Sequence, residues 1–236
     1  MRSFRLSIFG MLVFLGVVSI FTACNYGNNP QIPGPMNLKG QLWVWGTNGY
    51  NAQYTGSAQI DPAFSDMEVT GDISGGLLDI NVDIPKSDAL VDLSDALGEL
   101  YTYWGGDQKV TIAPKGVKAY LLDVFPIDKN STNPKGYDQL FREKYDNYSY
   151  EDIRYLFVDG DVTVIAGDLV YGIDTYRAYI LELKEGWNVL HVNFQYLEPV
   201  TYTVEAKDDT AIKWILEQKT GAVSKLYRSR PASLIH

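Results

Sequence analysis

The stretch LLDINVDI, residues 77–84, decides the fold, because apolar residues alternate there with Asp and Asn from position 78 to position 84. This period of two is typical of a β-strand with one buried and one solvated face. A turn sequence, Ser74-Gly75-Gly76, comes just before it, and residues 66–73 form another strand-like segment. The two segments are predicted to pair as neighbouring strands.

Short segments of the same kind recur along the chain. Strands are predicted at residues 40–46, 52–60, 108–113, 117–125, 153–158, 161–166, 176–184, 187–196 and 199–206. Asp159-Gly160 is typical of a tight hairpin turn, and Glu185-Gly186 is a second predicted turn, so each is expected to join paired strands. Strands do not alternate regularly with helices, so we expect a mainly β chain, an antiparallel β-sandwich or barrel.

Three segments have the apolar spacing of a helix. Residues 88–101 carry Leu at positions 90, 93, 97 and 100, with Ser87 or Asp88 as the predicted cap. Residues 136–145 and 208–219 are the other two, so two or three short helices are expected beside the strands. The irregular stretch 126–151 indicates either a long excursion or a boundary between sub-domains.

The N-terminus has the pattern of an export signal. Arg2 and Arg5 precede an uncharged apolar run over residues 6–21. This run is shorter than the roughly 20 residues of a membrane-spanning helix and fits the apolar region of a signal peptide. The next residues complete Phe21-Thr22-Ala23-Cys24, which resembles the lipobox of bacterial lipoproteins, although Phe21 stands where Leu is usual.

The resemblance covers the first tenth of the chain and concerns its targeting. It implies that residues 1–23 are removed as a signal peptide and that Cys24 accepts a diacylglycerol group. The protein would then be anchored in the cell envelope, at the outer membrane of a Gram-negative-type bacterium, facing the periplasm or the surface. A plain secretory signal and an uncleaved membrane anchor are the alternatives. Cys24 is the single cysteine, so no intramolecular disulfide can form.

The rest of the chain divides by composition. Residues 24–37 carry no charge and are rich in Asn, Gly and Pro, which is typical of a flexible tether. Residues 38–225 are predicted to form the β-rich globular domain, and residues 226–236 a tail.

The charge balance argues against nucleic acid as a partner. The formal net charge is −9, and removing a signal that holds two of the 20 basic and none of the 29 acidic residues would make it −11. A phosphate backbone repels such a chain.

Motifs for catalysis or metal binding are not found in the sequence. The two histidines are His191 and His236. His191 is predicted to face solvent on a strand, opposite the apolar face that carries Leu190 and Val192. We therefore predict no catalytic residue, no metal site and no cofactor besides the covalent lipid. Two of the 29 acidic residues could still act together in a hydrolase, but no spacing selects a pair.

Aromatic residues beside Gly- and Asn-rich turns are the remaining lead. Trp43, Trp45, Tyr103 and Trp104 are predicted ligand contacts, against the alternative that they fill the core. The expected function is a lipid-anchored binding or interaction protein of the envelope. Its partner would be a glycan, a small apolar molecule or an envelope protein. An envelope hydrolase with paired carboxylates and a non-catalytic structural subunit are the alternatives.

Overall fold

The computed structural model describes residues 32, 34–46, 49–59, 69–101, 109–122, 125–126, 139–145, 149–171, 174–195 and 200–217. The predicted signal peptide, Cys24 and the predicted tail lie outside these residues. No helix in the described ranges has the length and hydropathy of a membrane span.

Strands dominate the described ranges. They are β1 (Met36–Gly46), β2 (Gly49–Gln53), β3 (Ala58–Gln59), β4 (Val69–Ser74), β5 (Leu77–Val82), β6 (Val91–Asp92), β7 (Val110–Ala113), β8 (Lys118–Leu122), β9 (Phe125–Pro126), β10 (Gln139–Tyr145), β11 (Ser149–Val158), β12 (Val162–Ala166), β13 (Leu169–Tyr171), β14 (Asp174–Tyr176), β15 (Tyr179–Leu183), β16 (Gly186–Gln195), β17 (Thr201–Glu205) and β18 (Trp214–Glu217). One helix, α1 (Leu93–Tyr101), lies between β6 and β7. The prediction of a mainly β chain is confirmed.

The strands form two sheets. Fifteen belong to a large sheet with the path β13-β14-β17-β16-β11-β10-β18-β1-β5-β4-β3, and β15-β12-β7 form a second sheet. The large sheet is mixed, because β18 runs parallel to β1 and β14 runs parallel to β17. The expectation of purely antiparallel pairing is therefore wrong at these two places.

The alternating stretch at 77–84 folds as predicted. β4 and β5 pair antiparallel from Val69–Val82 to Ser74–Leu77, with the turn at Gly75-Gly76 between them. Leu78, Ile80 and Val82 are buried, whereas Ile84 lies beyond the strand and is exposed. β5 also pairs with the first half of β1, whose second half pairs with β2 as expected from residues 40–46 and 52–60.

The long pair β11–β16 is buried on both faces. On one face Tyr155 and Phe157 join the first core, which contains the buried residues of β1, β4 and β5. On the other face Leu156 and Val158 join the second core, which contains α1 and the buried residues of the three-stranded sheet. Strands covered on both sides are apolar at nearly every position, which explains the largely apolar sequence of residues 153–158.

The two predicted hairpin turns are wrong. β11 pairs with β16 and β12 pairs with β15, so Asp159-Gly160 and Glu185-Gly186 carry the chain between sheets and do not close hairpins. The Asp161 carboxylate fixes the two crossings to each other, because it accepts hydrogen bonds from the Glu185 N–H at 3.0 Å and from Lys184 Nζ at 2.7 Å. These side-chain contacts stabilise a sheet-switching corner.

The helix predictions fail in two places. Residues 136–145 contain strand β10, and residues 208–219 contain a turn followed by strand β18, so α1 is the one helix in the described part of the chain. In both strands pairing with distant segments overrides local helical spacing. The helix predicted over 88–101 begins only at Leu93, because β6 first pairs with β8.

Contacts of the described residues bear on the tether and on the stretch 126–151. Ile32, inside the predicted tether, exchanges backbone hydrogen bonds of 3.0 and 3.1 Å with Trp187, and β1 begins at Met36. The described end of the predicted tether is therefore bound to the domain. The described parts of stretch 126–151, in β9, β10 and β11, pair within the large sheet, which indicates continuity with the domain there.

Candidate functional site

A cleft of about 410 Å³ opens on the large sheet where β1, β10 and the turn before β18 meet. Its volume is in the range of small-molecule sites. Aromatic and charged side chains line it together, among them Trp43, Arg142, Tyr155, Asp208, Lys213 and Trp214. We call this feature the aromatic cleft.

Arg142 holds the turn that forms one wall of the aromatic cleft. Its Nη1 lies 2.8 Å from Asp208 Oδ1, and its Nη2 donates to the Asp209 carbonyl oxygen at 2.9 Å and to that of Ile212 at 3.4 Å. The Arg142 side chain is 8% exposed, whereas that of Asp208 is 37% exposed. A planar guanidinium with several donors suits such a fixed, multi-partner position better than an ammonium.

Trp214 forms the floor beside Arg142. The two residues lie directly opposite each other on β18 and β10, and the Arg142 guanidinium carbon is 5.6 Å from the Trp214 ring centroid. Tyr155 stacks on the same indole, with ring centroids 6.3 Å apart and planes at 11°. A Cβ on Gly40 would lie 2.5 Å from Trp214 Cδ1, so the missing side chain on β1 makes room for the indole.

Burial controls the ionisation of the groups around the guanidinium. It raises the pKa of Tyr155 to about 12, although Arg142 acts in the opposite direction. For Arg142, burial works to lower the pKa, but the contacts with Tyr155 and Asp208 outweigh it and the pKa lies above its usual value. At neutral pH the cleft therefore contains a neutral phenol and a charged guanidinium.

Trp43 lies at the other side of the cleft, under a lysine. Lys213 Nζ is 3.6 Å from the centroid of the Trp43 ring, which is a cation–π contact. Trp43 is half-buried, so its ring is neither enclosed in the core nor fully solvated. An ammonium over a partly solvated indole can be displaced by a ligand with a flat face.

The predicted site residues have different positions. Trp43 lines the aromatic cleft. Trp45 lies on β1, but its side chain is outside the described part of the structure. Tyr103, Trp104 and Cys24 lie outside the described residues altogether. Their predicted roles stay predictions.

Most of the cleft is not visible in local sequence. Arg142, Asp208 and Trp214 lie in the two segments whose spacing predicts helices, so local sequence does not predict that their side chains meet. A signal existed at Ile212, Trp214 and Leu216, which alternate and all join the first core. That period of two also predicts a strand.

His191 is buried, which corrects the prediction of a solvent-facing histidine. Only 5% of the residue is exposed. The predicted alternation is present, with Leu190 and Val192 in the second core. The opposite face of β16 is covered as well, because Trp187 and Val189 belong to the first core. One histidine ring nitrogen, one oxygen of Glu151 and one oxygen of Asp209 lie within 4.8 Å of one another.

The aromatic cleft combines flat apolar surface with fixed polar groups. Amide side chains of Asn37 and Gln41 and the hydroxyl-bearing Thr210 add to its lining. Among the described residues, Asp208 is the single acidic residue in the lining. The arrangement is suited to holding a ligand by stacking and hydrogen bonding.

No protein-family model, curated protein or solved structure matches this chain.

Proposed function

We propose that the protein is a lipid-anchored binding protein of the cell envelope that holds a glycan in the aromatic cleft. The observation that carries the proposal is the arrangement of Trp43 and Trp214 in one cleft with amide, hydroxyl and guanidinium groups. Sugars present apolar faces of C–H groups and rims of hydroxyls, so they need both kinds of surface. A purely apolar ligand would remove water from the partly exposed carboxylate of Asp208 without replacing its hydrogen bonds, which costs free energy.

The anchor and location follow from the lipobox resemblance. Cys24 would carry the diacylglycerol, and the domain would face the periplasm or the surface from the outer membrane. Ile32 is paired with Trp187, and it lies eight positions after Cys24. A segment of this length spans at most roughly 26–29 Å when extended, which keeps the domain near the membrane.

The alternative of a hydrolase in this cleft has less support. Glycoside hydrolysis needs two carboxylates facing the scissile bond, about 5–10 Å apart. In the part of the chain that the structure describes, the cleft offers Asp208 alone, and this carboxylate is paired with Arg142. A partner carboxylate would have to come from elsewhere, so binding without hydrolysis is the simpler use of the site.

For the architecture, we propose a layered β-sandwich in preference to a barrel. Support comes from the two cores on opposite faces of β11–β16, since the three-stranded sheet packs on one face and β1, β4 and β5 on the other.

A glycan array tests the proposal. The detergent-solubilised protein is expected to bind a subset of envelope polysaccharides, and Trp43→Ala is expected to weaken the best of them at least tenfold. That loss corresponds to about 1.4 kcal/mol, within the range of one stacking contact. Trp43→Phe should retain part of the affinity, because it keeps a flat ring.

The matched control is Ile180→Ala, which removes an exposed apolar side chain from the three-stranded sheet. It should bind like the wild type. Binding that Trp43→Ala leaves unchanged, with an unchanged melting temperature, would exclude the aromatic cleft as the site.

A further inference from the structure

Beside the aromatic cleft lies a separate group of polar side chains, formed by Glu151 on β11, His191 on β16 and Asp209 in the turn before β18. Their ligand-type atoms all lie within 4.8 Å of one another. The side chains of His191 and Glu151 are 6% and 14% exposed, and Asp209 is half-buried. We call this group the Glu–His–Asp cluster. None of its three residues lines the aromatic cleft.

His191 has an unused ring nitrogen that points into the cluster. Its Nε2 is buried and makes no hydrogen bond to any described residue. The Glu151 Oε2 atom lies 3.4 Å away, without hydrogen-bond alignment. A buried polar atom without a partner is unfavourable, so a missing partner is the simplest explanation for it.

The 3.4 Å separation is typical of two ligands of one metal ion. Zinc binds imidazole nitrogen and carboxylate oxygen at about 2.0–2.2 Å in tetrahedral geometry, so its ligand atoms lie about 3.3–3.6 Å apart. From this geometry we infer that the Glu–His–Asp cluster is a binding site for a divalent transition-metal ion, with Zn²⁺ as the probe.

A second buried atom without a partner lies on the same strand face. Asn193 Oδ1 has no hydrogen-bond partner among the described residues. Asn193 follows His191 by two positions on β16 and is directly opposite Glu151 in the β11–β16 register. Two unused polar atoms therefore share the face on which the cluster lies, and an amide oxygen is also a metal ligand.

The neighbouring cations leave the metal position free. Lys144 Nζ contacts Glu151 Oε1 at 3.0 Å, which is the oxygen that does not face His191. Arg142 contacts the carbonyl oxygen of Asp209 and the carboxylate of Asp208. Glu205, opposite His191 on β17, pairs with Lys207. The sum of these charges is negative, which favours a bound cation.

The site has no motif in the sequence because its ligands come from three distant segments. Residues 151 and 191 meet through strand pairing, and residue 209 is brought to them by the turn that Arg142 holds. A metal ion would therefore link the turn that forms one wall of the aromatic cleft to strands β11 and β16. This inference does not depend on which ligand the aromatic cleft takes.

Zinc titration of the tag-free full-length protein in detergent tests the inference, with a competing chromophoric chelator as the readout. One equivalent is expected to bind, and His191→Gln and Glu151→Gln should each weaken the affinity more than tenfold. The matched control is Asp72→Asn, an exposed carboxylate on β4 at the far side of the large sheet, which should leave the affinity unchanged.

Asp209→Asn provides a variant that should fold even if a change at buried His191 does not. Asp209 Oδ1 accepts the Ala211 N–H at 2.9 Å, and an asparagine oxygen can still do so. Zinc should raise the melting temperature of the wild type and raise that of Asp209→Asn much less. X-ray absorption at the zinc edge of the wild type should show a single imidazole among oxygen ligands.

Three results would overturn the inference: no stoichiometric zinc binding, zinc binding that His191→Gln retains, or a zinc edge without imidazole. Glycan binding can be present or absent in any of these outcomes, so the test is separate from that of the aromatic cleft.

Discussion

The guanidinium of Arg142 lies 2.8 Å from the carboxylate of Asp208 and donates to the carbonyl oxygens of the two residues that begin and end the adjoining turn. One side chain on β10 thereby fixes the segment that forms a wall of the aromatic cleft and presents Asp209 to the Glu–His–Asp cluster. Both candidate sites depend on this single anchor.

Arg142→Leu is expected to destabilise the protein by about 3 kcal/mol. The change removes the cation from Asp208 and the hydrogen bonds that the guanidinium donates to the carbonyl oxygens of Asp209 and Ile212. Lys118→Ala is the control, because its ion pair with Asp92 lies on the surface and should contribute little. Urea unfolding measures the free energy of unfolding of both variants. Similar losses in the two variants would contradict the role given to Arg142.

Tyr155 makes a specific contribution to alkaline stability. Its pKa is about 12 in the folded protein because of burial, against about 10 in the unfolded chain. A raised folded pKa means that the stabilisation is fully present below pH 10 and is lost as the pH rises from about 10 to about 12.

Comparison with Tyr155→Phe isolates this contribution. Between pH 9 and pH 12 the wild type should lose on the order of 2–3 kcal/mol relative to the variant, measured from urea midpoints at each pH. Unfolding curves that shift in parallel for the two proteins over this window would contradict the assignment.

Local alternation predicts a strand well when its partner is near in sequence. Residues 77–84 pair with β4 across a two-glycine turn, so the pattern and the turn both indicate the hairpin. Residues 212–216 satisfy a period of two and a helical spacing alike. Partners on β1 and β10 decide in favour of a strand, and a sequence window does not contain them.

Turn chemistry predicts where the chain changes direction, but not which strand it meets next. Asp159-Gly160 does mark the end of β11. The following strand then pairs with β15 because the second core lies there, and the Asp161 contacts favour the crossing. The same holds for the candidate sites. Trp43 can be identified from the sequence because it lies beside a turn. Arg142 and Asp208 are distant in the sequence and come together only in the folded chain.

Gly75 and Gly76 should respond differently to alanine, although both have positive φ, at 56° and 80°. A Cβ on Gly75 meets open space, whereas one on Gly76 would overlap the carbonyl oxygen of Tyr54. Gly75→Ala should cost about 1–2 kcal/mol from backbone strain alone, and Gly76→Ala clearly more. Chemical unfolding compares them, and equal losses would contradict the close approach of Tyr54.

Cys24→Ala should release the protein from membranes. A diacylglyceryl group contributes roughly 0.8 kcal/mol for each buried methylene, and its two chains together give stable anchoring. Fractionation and labelling with a fatty-acid analogue measure this, and the variant should lose both the label and the membrane association. A Cys24→Ala protein that stays in the membrane fraction would indicate an uncleaved anchor in place of a lipid.

Lys213→Ala distinguishes neutral from anionic glycans in the aromatic cleft. The ammonium covers the Trp43 ring at 3.6 Å, so its removal uncovers a stacking surface and also removes a positive charge from the lining. For a neutral glycan the affinity should stay constant or rise, since the sugar no longer displaces the lysine. For an anionic glycan it should fall about tenfold at low salt and less at high salt, because the lost attraction is screened.

Lys86→Ala is the matched control for charge, because this exposed lysine lies outside the cleft lining and its removal changes the net charge by the same amount. Titration calorimetry of wild type and both variants at two salt concentrations separates the two glycan classes. An equal loss in Lys86→Ala and Lys213→Ala would mean that overall charge, and not the ammonium over Trp43, controls binding.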